Sequence, residues 1–249
     1  MSWDDAKIAF LFAAMGGQGD FGEIPGPPAV ADASRYAELY EIQGDFEPLD
    51  IGVYAELCGG LDPVESVVSR FNEARAREIL PVVIGADRRV TQMVCDSTLV
   101  AFWGKLGRQE ADEKAICEKH KTFFAGARAA AFGAIDSLRA NVALLPCQRM
   151  VTARDALASA LEKIEGPVHL SIDLDVLSPG VAQSSRSLEP GGLSWYGLID
   201  AIDAVVSGPG LASADLVGCG DVAPRSPGAL LAAQILIKLV SALRALHKI

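Results

Sequence analysis

The sequence predicts an α/β fold, a three-layer α/β/α sandwich built on a mostly parallel sheet of about eight strands. Short apolar runs recur along the 249 residues, and most are apolar throughout, as in strands that are buried on both faces. Helical patterns lie between several of these runs, so strand and helix alternate. With 50% hydrophobic residues and a mean hydropathy of +0.26, the chain can bury one large core, and we expect a single domain over residues 1–249.

The predicted strands leave room for a helix between most neighbours. They are Lys7–Ala14, Leu49–Tyr54, Leu80–Gly85, Thr98–Trp103, Thr122–Ala127, Val142–Pro146, Val168–Ile172 and Asp215–Cys219. Two helix starts are recognisable, because Asp62 precedes a proline and Thr152 is followed three residues later by Asp155. The long apolar stretch Leu230–Leu246 is interrupted by polar residues, which indicates a helix buried on one side rather than a membrane span.

The net charge and the cysteine content limit the expected cellular location and the classes of binding partner. A net charge of −10 and a pI near 4.8 leave no basic stripe, so we expect neither nucleic acid nor an anionic membrane as a partner. Five scattered cysteines form no C-x-x-C pair, which argues against a disulfide framework and favours a cytoplasmic protein. The apolar run that begins at Ile8 follows Asp4 and Asp5 instead of positive charges, so it predicts a strand and not a signal peptide.

Two carboxylates stand two residues apart at the end of a predicted buried strand. Because alternate strand residues point the same way, Asp173 and Asp175 can face one cation, and hard divalent cations prefer oxygen ligands. Asp87 and Glu189 lie in loops that follow other predicted elements and are candidates for further oxygen ligands. In parallel sheets ligands bind beyond the carboxyl ends of the strands, so the sequence indicates a site at that edge.

Three segments together resemble the ureohydrolase family of arginases, agmatinases and formimidoylglutamases. They are Gly85–Thr91 (GADRRVT), Ser171–Pro179 (SIDLDVLSP) and Glu189–Ser194 (EPGGLS), in matching order and spacing. Weaker similarities at residues 26–28, 126–128 and 215–217 extend the resemblance over nearly the whole chain. The resemblance implies a two-manganese centre that activates a bridging water to attack a guanidino or amidino carbon, with six ligands drawn from three motifs.

The metal ligands of the first two motifs implied by the resemblance are missing. Arg88 stands where the first ligand histidine would be, and a guanidinium cannot bind a cation. The second motif has no match. On the simplest alignment the places of its three ligands are taken by Trp103, Lys105 and Gly107.

The third motif keeps two of the six implied ligands, Asp173 and Asp175. Ser178 replaces the aspartate that usually precedes the proline, and Gly218 takes the place of the acidic residue that would receive the substrate's guanidinium. The three histidines of the chain lie outside these motifs, so the implied proton donor has no counterpart.

The replacements suggest an electrostatic hypothesis. In the family, the charges of two dications offset those of four carboxylates. Here the carboxylates Asp173 and Asp175 align with two cationic residues, Arg88 and Lys105. The net formal charge of the site is therefore zero in both cases. Burying an unpaired carboxylate is costly. We therefore expect Arg88, with Lys105 as a second candidate, to occupy the vacated metal positions as internal counter-ions.

These features predict a non-catalytic ureohydrolase homologue, a pseudoenzyme without a cofactor that acts as a structural or regulatory subunit or as a small-ligand sensor. Cationic side chains supply neither open coordination sites nor a bound hydroxide. The resemblance implies a homo-oligomer, a trimer or hexamer, or a mixed oligomer with an active paralogue.

Two alternatives stay open. The first is a metal-dependent hydrolase of a linear amidine or guanidino compound, with a reduced or displaced manganese site at Asp173 and Asp175. The second is a binding module for a small anionic or amidino ligand. An anionic metabolite would be held by Arg88 and Arg89, because a guanidinium fork suits carboxylate or phosphate.

Overall fold

The computed structural model describes residues 2–15, 26–42, 44–107, 110–131, 142–153, 155–182 and 189–246. The strands are β1 (Ile8–Ala13), β2 (Val53–Cys58), β3 (Leu80–Ile84), β4 (Thr98–Phe102), β5 (Lys105–Leu106), β6 (Thr122–Ala127), β7 (Ala129–Ala130), β8 (Val142–Pro146), β9 (Val168–Asp173) and β10 (Leu211–Val217). The helices are α1 (Gly26–Ala33), α2 (Pro63–Ala76), α3 (Arg89–Val94), α4 (Glu110–Lys119), α5 (Cys147–Thr152), α6 (Ala156–Leu161), α7 (Trp195–Ser207) and α8 (Pro227–Ala245).

Eight of these strands form one parallel sheet in the order β2-β1-β3-β10-β9-β4-β6-β8. The two short strands β5 and β7 pair separately, beyond the carboxyl ends of β4 and β6. The predicted α/β fold with a sheet of about eight strands is confirmed. The order places β3, β10, β9 and β4 side by side at its centre, so the loops that follow them share one edge.

Helices cover both faces of the sheet, which explains the uninterrupted apolar runs of its strands. In β1, Ile8, Phe10 and Phe12 pack into the same core cluster as residues of α1, α7 and α8. The alternate residues Ala9, Leu11 and Ala13 pack with residues of α2 and α3 on the opposite face. The three layers predicted from the sequence are therefore present.

The predicted start of α2 is confirmed, and the predicted start near Thr152 is wrong. The Asp62 side chain accepts a hydrogen bond from the backbone N–H of Glu65 at 2.9 Å, with Pro63 at the first helical position. Thr152 instead ends α5, where its hydroxyl donates to the carbonyl of Gln148, and α6 begins after Asp155 without a side-chain cap.

Two strands are displaced from their predicted positions. Residues Pro48–Ile51, predicted as the start of a strand, form a 3-10 helix, and Gly52 leaves it with φ of 100°, so β2 begins only at Val53. The last strand was predicted over Asp215–Cys219. In the structure β10 begins four residues earlier, at Leu211, and ends two residues earlier, at Val217. A glycine with positive φ stands at one boundary of each strand, Gly52 before β2 and Gly218 after β10.

Helix α8 is long and apolar enough to cross a membrane by length and composition alone. In the fold, 67% of the apolar stretch of this helix is buried, and the helix packs against α1 and α7. It corresponds to the predicted helix at Leu230–Leu246 and forms part of the core on one face of the sheet.

Candidate functional site

The carboxyl ends of the central strands bring distant parts of the sequence together. Arg88 lies in the turn between β3 and α3, directly before the first residue of that helix. Asp173 is the last residue of β9, and Asp175 lies in the 3-10 turn that follows it. Because β3 and β9 are separated only by β10 in the sheet, a long side chain from one loop reaches the other.

Arg88 is bound by three carboxylates. Its Nε donates to Asp173 Oδ2 at 2.8 Å, its Nη2 to Asp175 Oδ2 at 3.1 Å and its Nη1 to Glu113 Oε1 at 2.7 Å. Nη1 also donates to the backbone carbonyl of Lys105 at 2.8 Å. None of the four side chains is more than 9% exposed. We call these four residues, Arg88, Glu113, Asp173 and Asp175, the Arg88 cluster.

The second oxygen of each carboxylate is bound as well. Asp173 Oδ1 accepts from the backbone N–H of Asp175 at 2.9 Å, and Asp175 Oδ1 accepts from Gly104 at 2.8 Å. Glu113 Oε2 accepts from the N–H of Gly107 at 2.6 Å. All six carboxylate oxygens of the cluster are thus hydrogen-bonded to donors of this chain, which is what buried carboxylates require.

One face of the guanidinium is covered by an indole. The guanidinium carbon of Arg88 lies 4.3 Å from the centroid of the Trp103 ring, within the range of a cation–π interaction. Trp103 is fully buried, and its Nε1–H donates to Ser171 Oγ at 2.9 Å. The aromatic residue that the simplest alignment puts in a ligand place therefore packs against the cation.

A buried polar network continues from Trp103 into the sheet. Ser171 Oγ donates to Asp215 Oδ1 at 2.6 Å, and His169 Nε2 lies 2.8 Å from Asp215 Oδ2. His169 Nδ1 lies 2.7 Å from the hydroxyl of Ser213. All four side chains are buried within β9 and β10, so this Ser-His-Asp arrangement supports the wall of the site and is closed to substrate.

The residues present do not fit a divalent cation while Arg88 lies among them. Each carboxylate contacts a different guanidinium nitrogen, so the three oxygens surround a wide, planar ion. A divalent metal needs its ligands at about 2.0–2.6 Å from one point. Among the described residues, no group of three or more His, Cys, Asp or Glu side chains is arranged to hold a metal ion.

Lys105 is not the second counter-ion, and this part of the hypothesis is wrong. Its Nζ lies 3.6 Å from Glu189 Oε1, and the two side chains are 36% and 42% exposed. Only its backbone carbonyl reaches Arg88. The pairing of β5 with β7 fixes this backbone while the side chain extends away from the cluster toward Glu189.

Asp87 and Arg89 pair with each other outside the cluster. Arg89 Nε donates to Asp87 Oδ1 at 2.9 Å, and Arg89 Nη2 donates to Asp87 Oδ2 at 2.9 Å. The structure therefore brings together Arg88, Asp173 and Asp175 of the predicted site. It places Asp87, Arg89, Lys105 and Glu189 in two separate, partly exposed ion pairs.

Sequence reasoning missed Glu113 and Arg128. Glu113 stands three and four residues before Ile116 and Cys117, both buried, so helical spacing puts it on the inward face of α4. Arg128, directly after β6, donates through Nη1 to the carbonyl of Asp175 at 2.6 Å and through Nε to that of Glu189 at 3.2 Å. It holds the chain on both sides of the loop after β9.

The presence of Glu113 also corrects the expected charge balance. The cluster holds three carboxylates and one guanidinium, and not two of each sign. Burial, and then the charge of Asp173, raise the pKa of Asp175 to about 7, although Arg88 acts in the opposite direction. For Arg88, burial lowers the pKa, but the attraction of the three carboxylates outweighs it, so the guanidinium stays charged.

Gly218 leaves no room for the acidic residue that the family resemblance implies there. Its φ is 79°, and a Cβ at this position would lie 2.4 Å from Asp173 Oδ1. A side chain would therefore displace the carboxylate that Arg88 binds. The glycine is part of the packing around the cluster.

Comparison with known protein families gives a match over most of the chain. The arginase family model matches residues 98–241. The chain is 25% identical over 241 residues to an N(1)-aminopropylagmatine ureohydrolase of Thermococcus kodakarensis, with 88% of this chain and 83% of that protein covered. It is 26% identical over 213 residues to a protein of the same name from Thermus thermophilus, with 72% and 70% covered.

Solved structures show the same fold. The agmatine ureohydrolase of Thermoplasma volcanium superposes with a TM-score of 0.82 at 14% identity, over 100% of this chain and 93% of that one. The arginase of Bacillus cereus superposes with a TM-score of 0.72 at 18% identity, over 94% and 98%. At these identities the likeness concerns the fold.

The cluster predicts a large difference between two neighbouring arginines. We expect Arg88→Met to lower the free energy of unfolding by about 3–5 kcal/mol, because it leaves three buried carboxylates without their cation. Arg89→Met removes a partly exposed pair with Asp87 and should cost less than about 1 kcal/mol. Urea denaturation followed by circular dichroism measures both, and equal losses would contradict the assignment of Arg88 as the central cation.

A pair of glycine variants isolates the contact with Asp173. Gly218 and Gly210 have φ of 79° and 80°, but a Cβ at Gly210 meets nothing within 4 Å. Both alanine variants share a backbone strain of about 1–2 kcal/mol. We expect Gly218→Ala to cost at least about 1 kcal/mol more in unfolding free energy, because it pushes Asp173 from Arg88. Indistinguishable losses in urea would show that Asp173 moves freely.

The raised pKa of Asp175 predicts a pH dependence of stability. The native state holds this proton more tightly than the unfolded chain, whose carboxyl titrates near 3.8, so this group lowers the unfolding free energy as pH rises from about 4 to about 7. Asp175→Asn cannot titrate. Unfolding curves across this range should show the stability of the wild type, relative to the variant, falling with pH. A constant difference would mean that Asp175 is ionised throughout.

Proposed function

This chain belongs to the arginase family, and we propose that it is a non-catalytic member, a pseudoenzyme whose centre is held together by an internal cation. The observation that carries the proposal is that every carboxylate oxygen of the Arg88 cluster is already hydrogen-bonded within the chain. All six oxygens of Glu113, Asp173 and Asp175 accept hydrogen bonds from this chain, half of them from Arg88.

The chemistry of the cluster supports this proposal. A ureohydrolase centre must generate a hydroxide near neutral pH, which a metal does by lowering the pKa of bound water. A guanidinium offers N–H donors but no coordination position, and the Arg88 donors are directed at carboxylates and a carbonyl. In this arrangement the carboxylates hold a side chain of their own protein.

We assign the chain a structural or regulatory role as a subunit, either in a homo-oligomer such as a trimer or hexamer or beside an active paralogue. The cytoplasm is its proposed location, which is supported by five buried, free cysteines and the acidic composition. A role as a sensor of a small anion has less support, because the Arg88 donors named above are engaged within the cluster and Arg89 pairs with Asp87.

The second candidate is a metal-dependent hydrolase of the C–N bond in a linear amidine or guanidino compound, with manganese at a reduced or displaced site. The activity of two relatives favours it, since both are N(1)-aminopropylagmatine ureohydrolases aligned over most of this chain. For Asp173 and Asp175 to bind a metal, Arg88 would first have to leave both carboxylates.

Metal retention separates the two candidates. After incubation with Mn²⁺ and desalting, we expect the wild type to retain far less than one ion per chain and to release no urea from agmatine, N(1)-aminopropylagmatine or arginine. Arg88→His removes the internal cation and adds a ligand, and it should retain more metal than the wild type. Arg89→His is the matched control and should behave as the wild type.

Stoichiometric metal in the wild type, lost in Asp173→Ala, would overturn the non-catalytic assignment and support the hydrolase. Urea release that depends on Mn²⁺ would do the same.

A further inference from the structure

We propose that the Arg88 cluster is a guanidinium-binding site that the chain fills with its own side chain, and that the site selects a planar guanidinium over a divalent metal. This inference rests on the proposed function and deepens it by naming the ligand class of the same centre. It follows from the shape of the site, the origin of its walls and the way each wall is fixed.

The shape matches the donor pattern of a guanidinium. Three carboxylate oxygens and one carbonyl oxygen accept from Nε, Nη1 and Nη2, so acceptors surround the edge of the planar ion. The Trp103 ring covers a face at 4.3 Å. Acceptors around the edge and an aromatic surface on a face are the two features that distinguish guanidinium recognition from binding of a compact ammonium ion.

The walls are fixed independently of Arg88. The carboxylate oxygen that does not contact Arg88 accepts a backbone N–H hydrogen bond in each case. The donors are Asp175 to Asp173, Gly104 to Asp175 and Gly107 to Glu113. These walls come from β9, α4 and the loop after β4, whereas Arg88 comes from the loop after β3. Removal of its side chain would therefore leave preorganised acceptors around a cavity.

The aromatic wall has its own support inside the sheet. The indole N–H of Trp103 is held by Ser171, which in turn donates to Asp215. His169 holds the other oxygen of Asp215 at 2.8 Å. None of these contacts involves Arg88, so the ring should keep its place when the guanidinium is absent.

Truncation of Arg88 to alanine removes the guanidinium but no cap of helix α3. Arg88 precedes the first residue of α3 but makes no side-chain capping bond to that helix. Arg88→Ala should therefore leave the helix start intact and open a buried cavity lined by the three carboxylates and the indole. Buried engineered cavities can admit small molecules of matching shape, as apolar cavities admit benzene.

Chemical rescue of Arg88→Ala tests the inference. At neutral pH we expect ethylguanidinium, at low millimolar concentration, to recover at least half of the Tm lost on substitution, because it binds the folded variant only. Ethylammonium, which carries the same charge without the planar fork, should recover clearly less, and Mn²⁺ less than ethylguanidinium. The wild type and Arg89→Ala with ethylguanidinium serve as controls for general effects of the salt, and their Tm should not rise.

Two results would overturn the inference: no recovery with ethylguanidinium, or a recovery with Mn²⁺ or ethylammonium that equals or exceeds it. If Arg88→Ala does not fold unaided, its refolding from urea with and without ethylguanidinium gives the same answer, since a site for this ion must raise the folded fraction. Failure of rescue together with a metal-free, inactive wild type would refute only this inference. Manganese retained by the wild type would refute the proposed function itself.

Discussion

A buried guanidinium among three carboxylates is the interaction on which the carboxyl end of the sheet depends. Asp173, Asp175 and Glu113 come from a strand, a turn and a helix, and Arg88 is the cation that offsets their charges where these elements meet. A buried ion pair gains little net stability over apolar packing, but removal of one partner is costly. The cluster therefore specifies how the elements meet more than it adds to the total stability.

The same geometry explains why the fold and the chemistry can be separated. A parallel sheet brings the ends of β3, β9 and β4 to one edge whatever residues stand there, which is why such edges host many activities. What the edge then does depends on the charge and shape of a few side chains. In this chain a fixed organic cation takes the centre, and the surrounding backbone N–H groups are directed at the carboxylates that hold it.

The alternation of apolar runs and helical patterns predicted the fold. The contact of Arg88 with Asp173 and Asp175 was expected from the family resemblance, which puts Arg88 in the place of a metal ligand, and the structure shows it. Lys105 was misplaced because the pairing of β5 with β7, which no apolar run reveals, decides which way its side chain points. Glu113 carried a readable signal in its spacing from Ile116 and Cys117. Arg128 lies in the weaker similarity at residues 126–128, but nothing there indicates its role, because its partners are backbone carbonyls whose positions exist only in the folded chain.

The backbone contacts of the outer carboxylate oxygens also bear on the evolutionary history open to this chain. A single change that removed Arg88 would leave three buried anions, each still fixed by its own N–H group, with no neutralising ion. Replacement of Arg88 by a metal ion would thus pass through an unstable intermediate unless several coordinating residues were acquired together. We therefore expect Arg88 to persist while residues elsewhere in the chain change.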